Sequence, residues 1–117
     1  MSIYASNVAD RVRLLVGDKK YTRWLKADMT LWTNDAVTII RSARSDSQLD
    51  SSSGDYLTLT PVPDMGSTRL LSVGDKYLPA IAQYVASLCF QQEGGNKADR
   101  ERSKMHMDNF TALLAVL

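Results

Sequence analysis

The sequence predicts a mainly α protein: a small antiparallel bundle of four helices, with a short β-hairpin inserted between helices two and three. Three observations lead there. Apolar residues recur at helical spacing in four segments that together take up more than half of the chain. One stretch, Tyr56-Leu57-Thr58-Leu59-Thr60, instead alternates and is rich in β-formers. The two segments flanking Gly94-Gly95 are joined by a turn so short that they must be antiparallel neighbours. With 117 residues, 44% of them hydrophobic, the chain is one domain, 1–117, large enough to build a core without staples.

The first helix is expected over 3–16, where Val8, Val12, Leu15 and Val16 fall on one face. Ser2 or Ser6 would cap its start, and Gly17 would stop it in the left-handed C′ conformation. A polar connection, Asp18 to Arg23, leads to a second helix over 25–44. Its stripe reads Leu25, Met29, Trp32, Ala36, Ile39 or Ile40, and Ala43. Asn34 and Asp35 sit mid-helix, where propensity disfavours them, so exposure or a hydrogen bond to a neighbouring backbone must account for them. Arg41 and Arg44 lie in the last turn, where the macrodipole favours cations. Trp24 either staples the helix entry or faces a partner.

The segment 45–75 is the excursion. Ser45 to Asp55 is Ser/Asp-rich and aperiodic and reads as an exposed loop, with Ser45 to Gly54 among the least protected parts of the chain. The strand 56–60 follows. Pro61-Val62-Pro63-Asp64-Met65-Gly66 cannot be a central strand and forms the hairpin tip, with Thr68 to Val73 returning. Helix three is expected over 78–92, with Leu78, Ile81, Ala82, Val85, Leu88 and Cys89 on its apolar face and Pro79 in the first turn. Asn96 caps helix four, with Asp99 at N3. His106, Phe110, Leu113, Leu114 and Leu117 share its inner face, while Lys97, Arg100, Glu101, Arg102 and Lys104 face water. The expected core is Trp32, Ile39, Ile81, Val85, Leu88, Phe110 and Leu113.

Composition limits function. Lys+Arg is 14 and Asp+Glu 13, so the net charge of +1 provides no global field for nucleic acid or for basic partners. One cysteine, Cys89, precludes an intramolecular disulfide, and one histidine, His106, precludes sites needing two imidazoles. Cys89 reads as a small core hydrophobe, with nothing nearby to lower its pKa, and His106 as a packing or surface residue. Walker, dinucleotide and nucleophile-elbow motifs are absent. Asp46, Asp50 and Asp55 lack the spacing, glycine and terminal glutamate of a calcium loop. The expectation is no enzyme, no metal and no cofactor. No run approaches the roughly 20 apolar residues of a spanning helix, and Met1-Ser2-Ile3-Tyr4 has neither the basic nor the apolar region of a signal peptide. A soluble protein, made in a reducing compartment and without membrane contact, is expected.

Several segments carry a resemblance. Tyr21-Thr22-Arg23-Trp24-Leu25 followed by Leu31-Trp32-Thr33-Asn34-Asp35-Ala36 resembles a helix-entry motif of tailed-phage head-to-tail adaptor proteins, also called head–tail connector or head completion proteins. Asp75-Lys76-Tyr77-Leu78-Pro79 through Val85 resembles that family's third helix, and Asn96 through His106 and Phe110 its fourth. The likeness covers most of the chain and is nearest to adaptors of short-tailed phages. It departs in the middle, where larger relatives carry a longer β-rich insertion than the hairpin here.

The resemblance implies a structural virion protein, made in the host cytoplasm and located in the phage neck. Its subunits would form a ring, dodecameric by analogy, below the portal protein. The ring would extend the DNA channel, passing close to DNA without gripping it, and would give tail proteins (nozzle or tail tube) a platform. Leu113, Leu114, Val116 and Leu117 are the expected portal contact, since an apolar terminus without a polar tail either completes the core or docks in a groove. Pro61, Val62, Pro63, Asp64, Met65 and Gly66, with Arg41 and Arg44, are the expected contacts to a neighbouring subunit or the tail. A small helical nucleic-acid-binding or regulatory protein is the alternative. It would use Lys19, Lys20 and Arg23 together with Arg41 and Arg44, which otherwise read as solvated helix ends.

Overall fold

A computed structural model describes residues 5–16, 26–49, 54–59, 61, 71–93 and 97–116. Ser2, Gly17, Lys19, Lys20, Arg23, Trp24, Leu25, Asp50, Val62 to Gly66, Asn96 and Leu117, each given a role above, lie outside these residues. Among the described residues four α-helices form the fold: α1 (Ala5–Val16), α2 (Lys26–Ala43), α3 (Leu78–Glu93) and α4 (Lys97–Val116). The expected helical bundle is present, with helix limits within a residue or two of those read from periodicity wherever the ends are described.

The centre of the bundle is α3, which packs against α1, α2 and α4. Its sequence explains why: from Leu78 to Gln92 it carries no charged side chain. Ala80, Ile81, Ala82, Val85, Ala86, Ser87, Cys89 and Phe90 are all buried, so burial extends well around the helix instead of along one stripe. Leu88, expected in the core, is only half-buried. The expected face of α1 is also found, with Val8, Ala9 and Val12 buried and Leu15 and Val16 partly so. In α4, Asp99, His106 and Phe110 turn inward, and Phe110 meets Tyr84 ring to ring at 5.2 Å.

The buried face of α2 matches the expected stripe at Met29, Ala36 and Ile40 and departs from it elsewhere. It runs Met29, Thr33, Ala36, Val37 and Ile40. Ile39, expected in the core, is 39% exposed; Trp32 is half-buried and Ala43 exposed. The face is rotated because a threonine can enter the core once its hydroxyl is satisfied: Thr33 Oγ1 donates to the Met29 carbonyl at 2.8 Å. Asn34 is half-buried and Asp35 exposed.

The excursion also differs. Ser45–Gln48, expected as open loop, is a 3-10 turn with Ser47 fully buried. The Ser47 hydroxyl donates to the Arg44 carbonyl at 2.6 Å, and its own carbonyl accepts from Gly74 N–H at 2.9 Å. Gly74 fits this approach, since a Cβ there would stand 3.1 Å from the Leu49 carbonyl. No strand forms among the described residues of 56–73. Tyr56 makes a single antiparallel bridge, to Leu49 on its N-terminal side, and Leu71 to Val73 are buried without strand pairing. Leu57 N–H donates to Gln48 O at 2.7 Å, and Gly54 takes the positive φ of 74° in the segment just before Tyr56. The expected hairpin tip lies outside the described residues.

Candidate functional site

Three surface features could serve a partner. The first is the end of α2 and what it holds. Arg41 Nη1 donates to the Leu57 carbonyl at 2.6 Å and to the Ser72 carbonyl at 2.7 Å. Its Nη2 donates to Tyr56 Oη at 3.1 Å, and the guanidinium lies 5.5 Å from the centre of the Tyr56 ring. The planar fork of an arginine suits this task, because one group can address several acceptors at once. One turn on, Arg44 Nη1 donates to the Leu114 carbonyl at 2.6 Å, near the C-terminal end of α4. Such a donor satisfies a carbonyl that the helix cannot, and its charge suits the negative end of the dipole. Arg41 and Arg44, expected to reach outward, therefore serve contacts within the chain. The same contacts occupy both cations that a nucleic-acid reading would need at this helix end.

Arg44 Nε also lies 3.3 Å from Asp46 Oδ1, and Asp46 Oδ2 accepts from Lys76 Nζ at 2.8 Å and from Tyr77 Oη at 2.9 Å. The hydrogen bond from Lys76 is the main cause that holds the Asp46 carboxyl down to about 2; Tyr77 adds to it against the desolvation cost. Burial, then the bond to Asp46, pushes the fully buried Tyr77 phenol up to about 12. Sequence reading missed this cluster. Its partners lie about 30 residues apart, and the only local signal was an Asp in a serine-rich segment and a Tyr just ahead of α3.

The second feature is the tip of α4. Leu113 and Leu114 pack partly buried against the core, whereas Val116 is 79% exposed. The four residues expected as one portal contact are thus divided: two lean on the bundle, one projects, and Leu117 lies outside the described residues. Pro61, from the other expected contact, is exposed.

The third is a cleft of about 520 Å³ between α3 and α4, lined on the α3 side by Ser87 and Gln91 and on the α4 side by Arg100, Ser103, Lys104 and Met107, with Asp108 at one end. The helices are stitched together beneath it: Ser87 Oγ donates to the Ser103 carbonyl at 2.8 Å.

Groups suited to chemistry are engaged in structure. Cys89 is buried in the core. His106 is buried, stacked on Phe90 at 5.7 Å, and its Nδ1–H donates to Gln83 Oε1 at 2.6 Å. Desolvation lowers its pKa, disfavouring the charged ring. Among the described residues no three His, Cys, Asp or Glu side chains gather where they could hold a metal ion, and no helix is long and apolar enough to cross a membrane. Compared with known protein families, known proteins and solved structures, the chain matches none.

Proposed function

We propose that the chain is a structural subunit of a head-to-tail adaptor: a ring-forming helical bundle that docks below a phage portal and carries tail proteins on its far side. What supports this reading most is the end of α4. An apolar side chain, Val116, projects at 79% exposure from a helix tip whose last described turns are anchored by Leu113, Leu114 and the Arg44 bond to the Leu114 carbonyl. A tip held in one orientation loses little freedom on docking, which favours insertion into a partner groove. The engaged states of Cys89 and His106 fit a role without catalysis. The excursion, fastened by Arg41, would present the Pro61 region to a neighbour or to the tail.

The test is co-sedimentation with a purified portal ring. Val116→Asp leaves Leu113 and Leu114 in place and should abolish binding while the helical content and melting midpoint stay at wild-type values. Truncation after Ala112 is a poorer probe, because it also removes two residues that pack on the core. Undiminished portal binding by Val116→Asp would reject the α4 tip as the docking surface.

A further inference from the structure

We propose that the cleft between α3 and α4 receives α1 of a second copy of this chain, so that each subunit offers α1 to one neighbour and its cleft to the other. This inference rests on the ring reading above. The argument begins with the cleft's polarity. Along α4, Arg100 and Lys104 stand one turn apart, then Met107, then Asp108. Two cations therefore draw an acidic group to the Arg100 end, while Met107 makes the other end apolar and the adjacent Asp108 repels an acid there.

The exposed face of α1 carries Asn7, Asp10, Arg11 and Leu14, and two of these match that order. Asp10 and Leu14 are four residues apart and share a face, and Leu14 is 74% exposed although it is a large apolar side chain. Laid parallel to α4, Asp10 meets the Arg100–Lys104 pair and Leu14 covers Met107. The spacings agree: Asp10 to Leu14 is about 6 Å along a helix, and the midpoint of Arg100 and Lys104 to Met107 is about 7.5 Å. Reversing α1 would put Asp10 beyond Asp108, which like charge disfavours. Asp10 already lies beside Arg13 on the surface, but exposed pairs of that kind contribute little and leave the carboxylate available to two further cations.

Topology completes the argument. Within one chain α1 and α4 each pack on α3, and the cleft opens between α3 and α4. The donor surface and the receiving surface are thus different patches of one molecule. A contact between different patches is heterologous, and it propagates head to tail until the rotation closes a ring.

Charge exchange tests the proposal in the full chain. Asp10→Lys alone, and the double variant Arg100→Glu/Lys104→Glu alone, should each raise the concentration for half-assembly by about tenfold or more, read by light scattering alone and on a portal ring. All three substitutions together should restore assembly to within about threefold of wild type. All three positions are exposed, and a circular-dichroism melt checks that each variant folds. Independently, Leu14→Cys with Met107→Cys should give an oxidation-dependent ladder of cross-linked multimers, with the buried Cys89 left in place. Assembly unaffected by either charge reversal, a triple variant no better than its parents, cross-links to portal subunits in place of multimers, or a wild type that stays monomeric both alone and on the portal would each overturn the α1–cleft contact. Failure of the adaptor reading has a different signature: charge-exchangeable self-association with no portal binding.

Discussion

Replacing Arg41 with alanine separates a residue that holds its own chain together from one that reaches for a neighbour. The substitution removes two short charged hydrogen bonds, to the Leu57 and Ser72 carbonyls, together with the contact to Tyr56. A hydrogen bond to a charged group contributes about 1.5–3 kcal/mol. Against this, freeing the side chain returns up to about 2 kcal/mol of rotamer entropy. The partly exposed site also lets water replace some of what is lost. A net destabilisation of about 2–3 kcal/mol follows. For a chain of this length the unfolding entropy is about 0.25 kcal/mol per degree, so the melting midpoint should fall by about 8–12 °C. Arg41→Lys keeps the charge but not the fork, and should lose more than half as much. The assay is a far-ultraviolet circular-dichroism melt at a concentration where the protein is monomeric. A fall of less than about 3 °C for Arg41→Ala, with ring formation impaired, would refute the reasoning and return Arg41 to the subunit interface.

Phe110→Ala should destabilise by about 3–5 kcal/mol, because the ring is buried against Tyr84, and chemical denaturation would measure it. Asp46 has a depressed pKa, so its stabilisation is present above its ordinary 3.8 and is lost as pH falls through about 2; Asp46→Asn should flatten the acid limb of the stability curve. Tyr77 has a raised pKa, so its share is intact below pH 10 and is lost as pH rises through about 12, a loss that Tyr77→Phe should remove. His106 has a lowered pKa, so stability should decline as pH drops below about 6.5, and His106→Gln should blunt that decline. The Ser47 and Gly74 amides should exchange slowly in the monomer, being bonded to Arg44 O and Ser47 O; exchange at the rate of an open loop would show that the 45–48 turn is not held.

How much of this was legible beforehand depends on the range of the interactions. The helices were legible, since Val8, Val12, Leu15 and Val16, or His106 and Phe110, state their face within two turns. The central position of α3 was legible in principle, because fifteen residues without a charge cannot have a solvated face of ordinary character. The rotation of α2 was not: periodicity ranks Ile39 above Thr33, and only the bond from Thr33 to the Met29 carbonyl reverses them. The excursion was least legible. Alternation in Tyr56 to Leu59 predicts a strand, whereas the described residues show one isolated bridge at Tyr56 and are held by bonds involving Arg41, Gln48 and Gly74 that act across 9 to 31 residues. The cleft is similarly remote from local pattern, since it exists only when Ser87 and Gln91 are set against Arg100 to Met107.

Those long-range bonds also say why two arginines stand at the end of α2. Arg41 fastens the 56–57 and 72 segments, and Arg44 fastens the tip of α4 while pairing with Asp46. Asp46 in turn holds Lys76 and Tyr77 at the threshold of α3. One helix end is therefore bonded to the excursion, to the start of the central helix and to the apolar tip bearing Val116. A partner seated on that tip would pull on Arg44, just past the end of α2, and a partner seated on the excursion would pull on Arg41, three residues earlier in its last turn. The two surfaces proposed for portal and for tail or neighbour are joined through a short run of charged hydrogen bonds, which resist displacement more than apolar contacts that can slide. The proposed head-to-tail joint would have that mechanical requirement: force applied at one face must reach the other without first unfolding the loop between them.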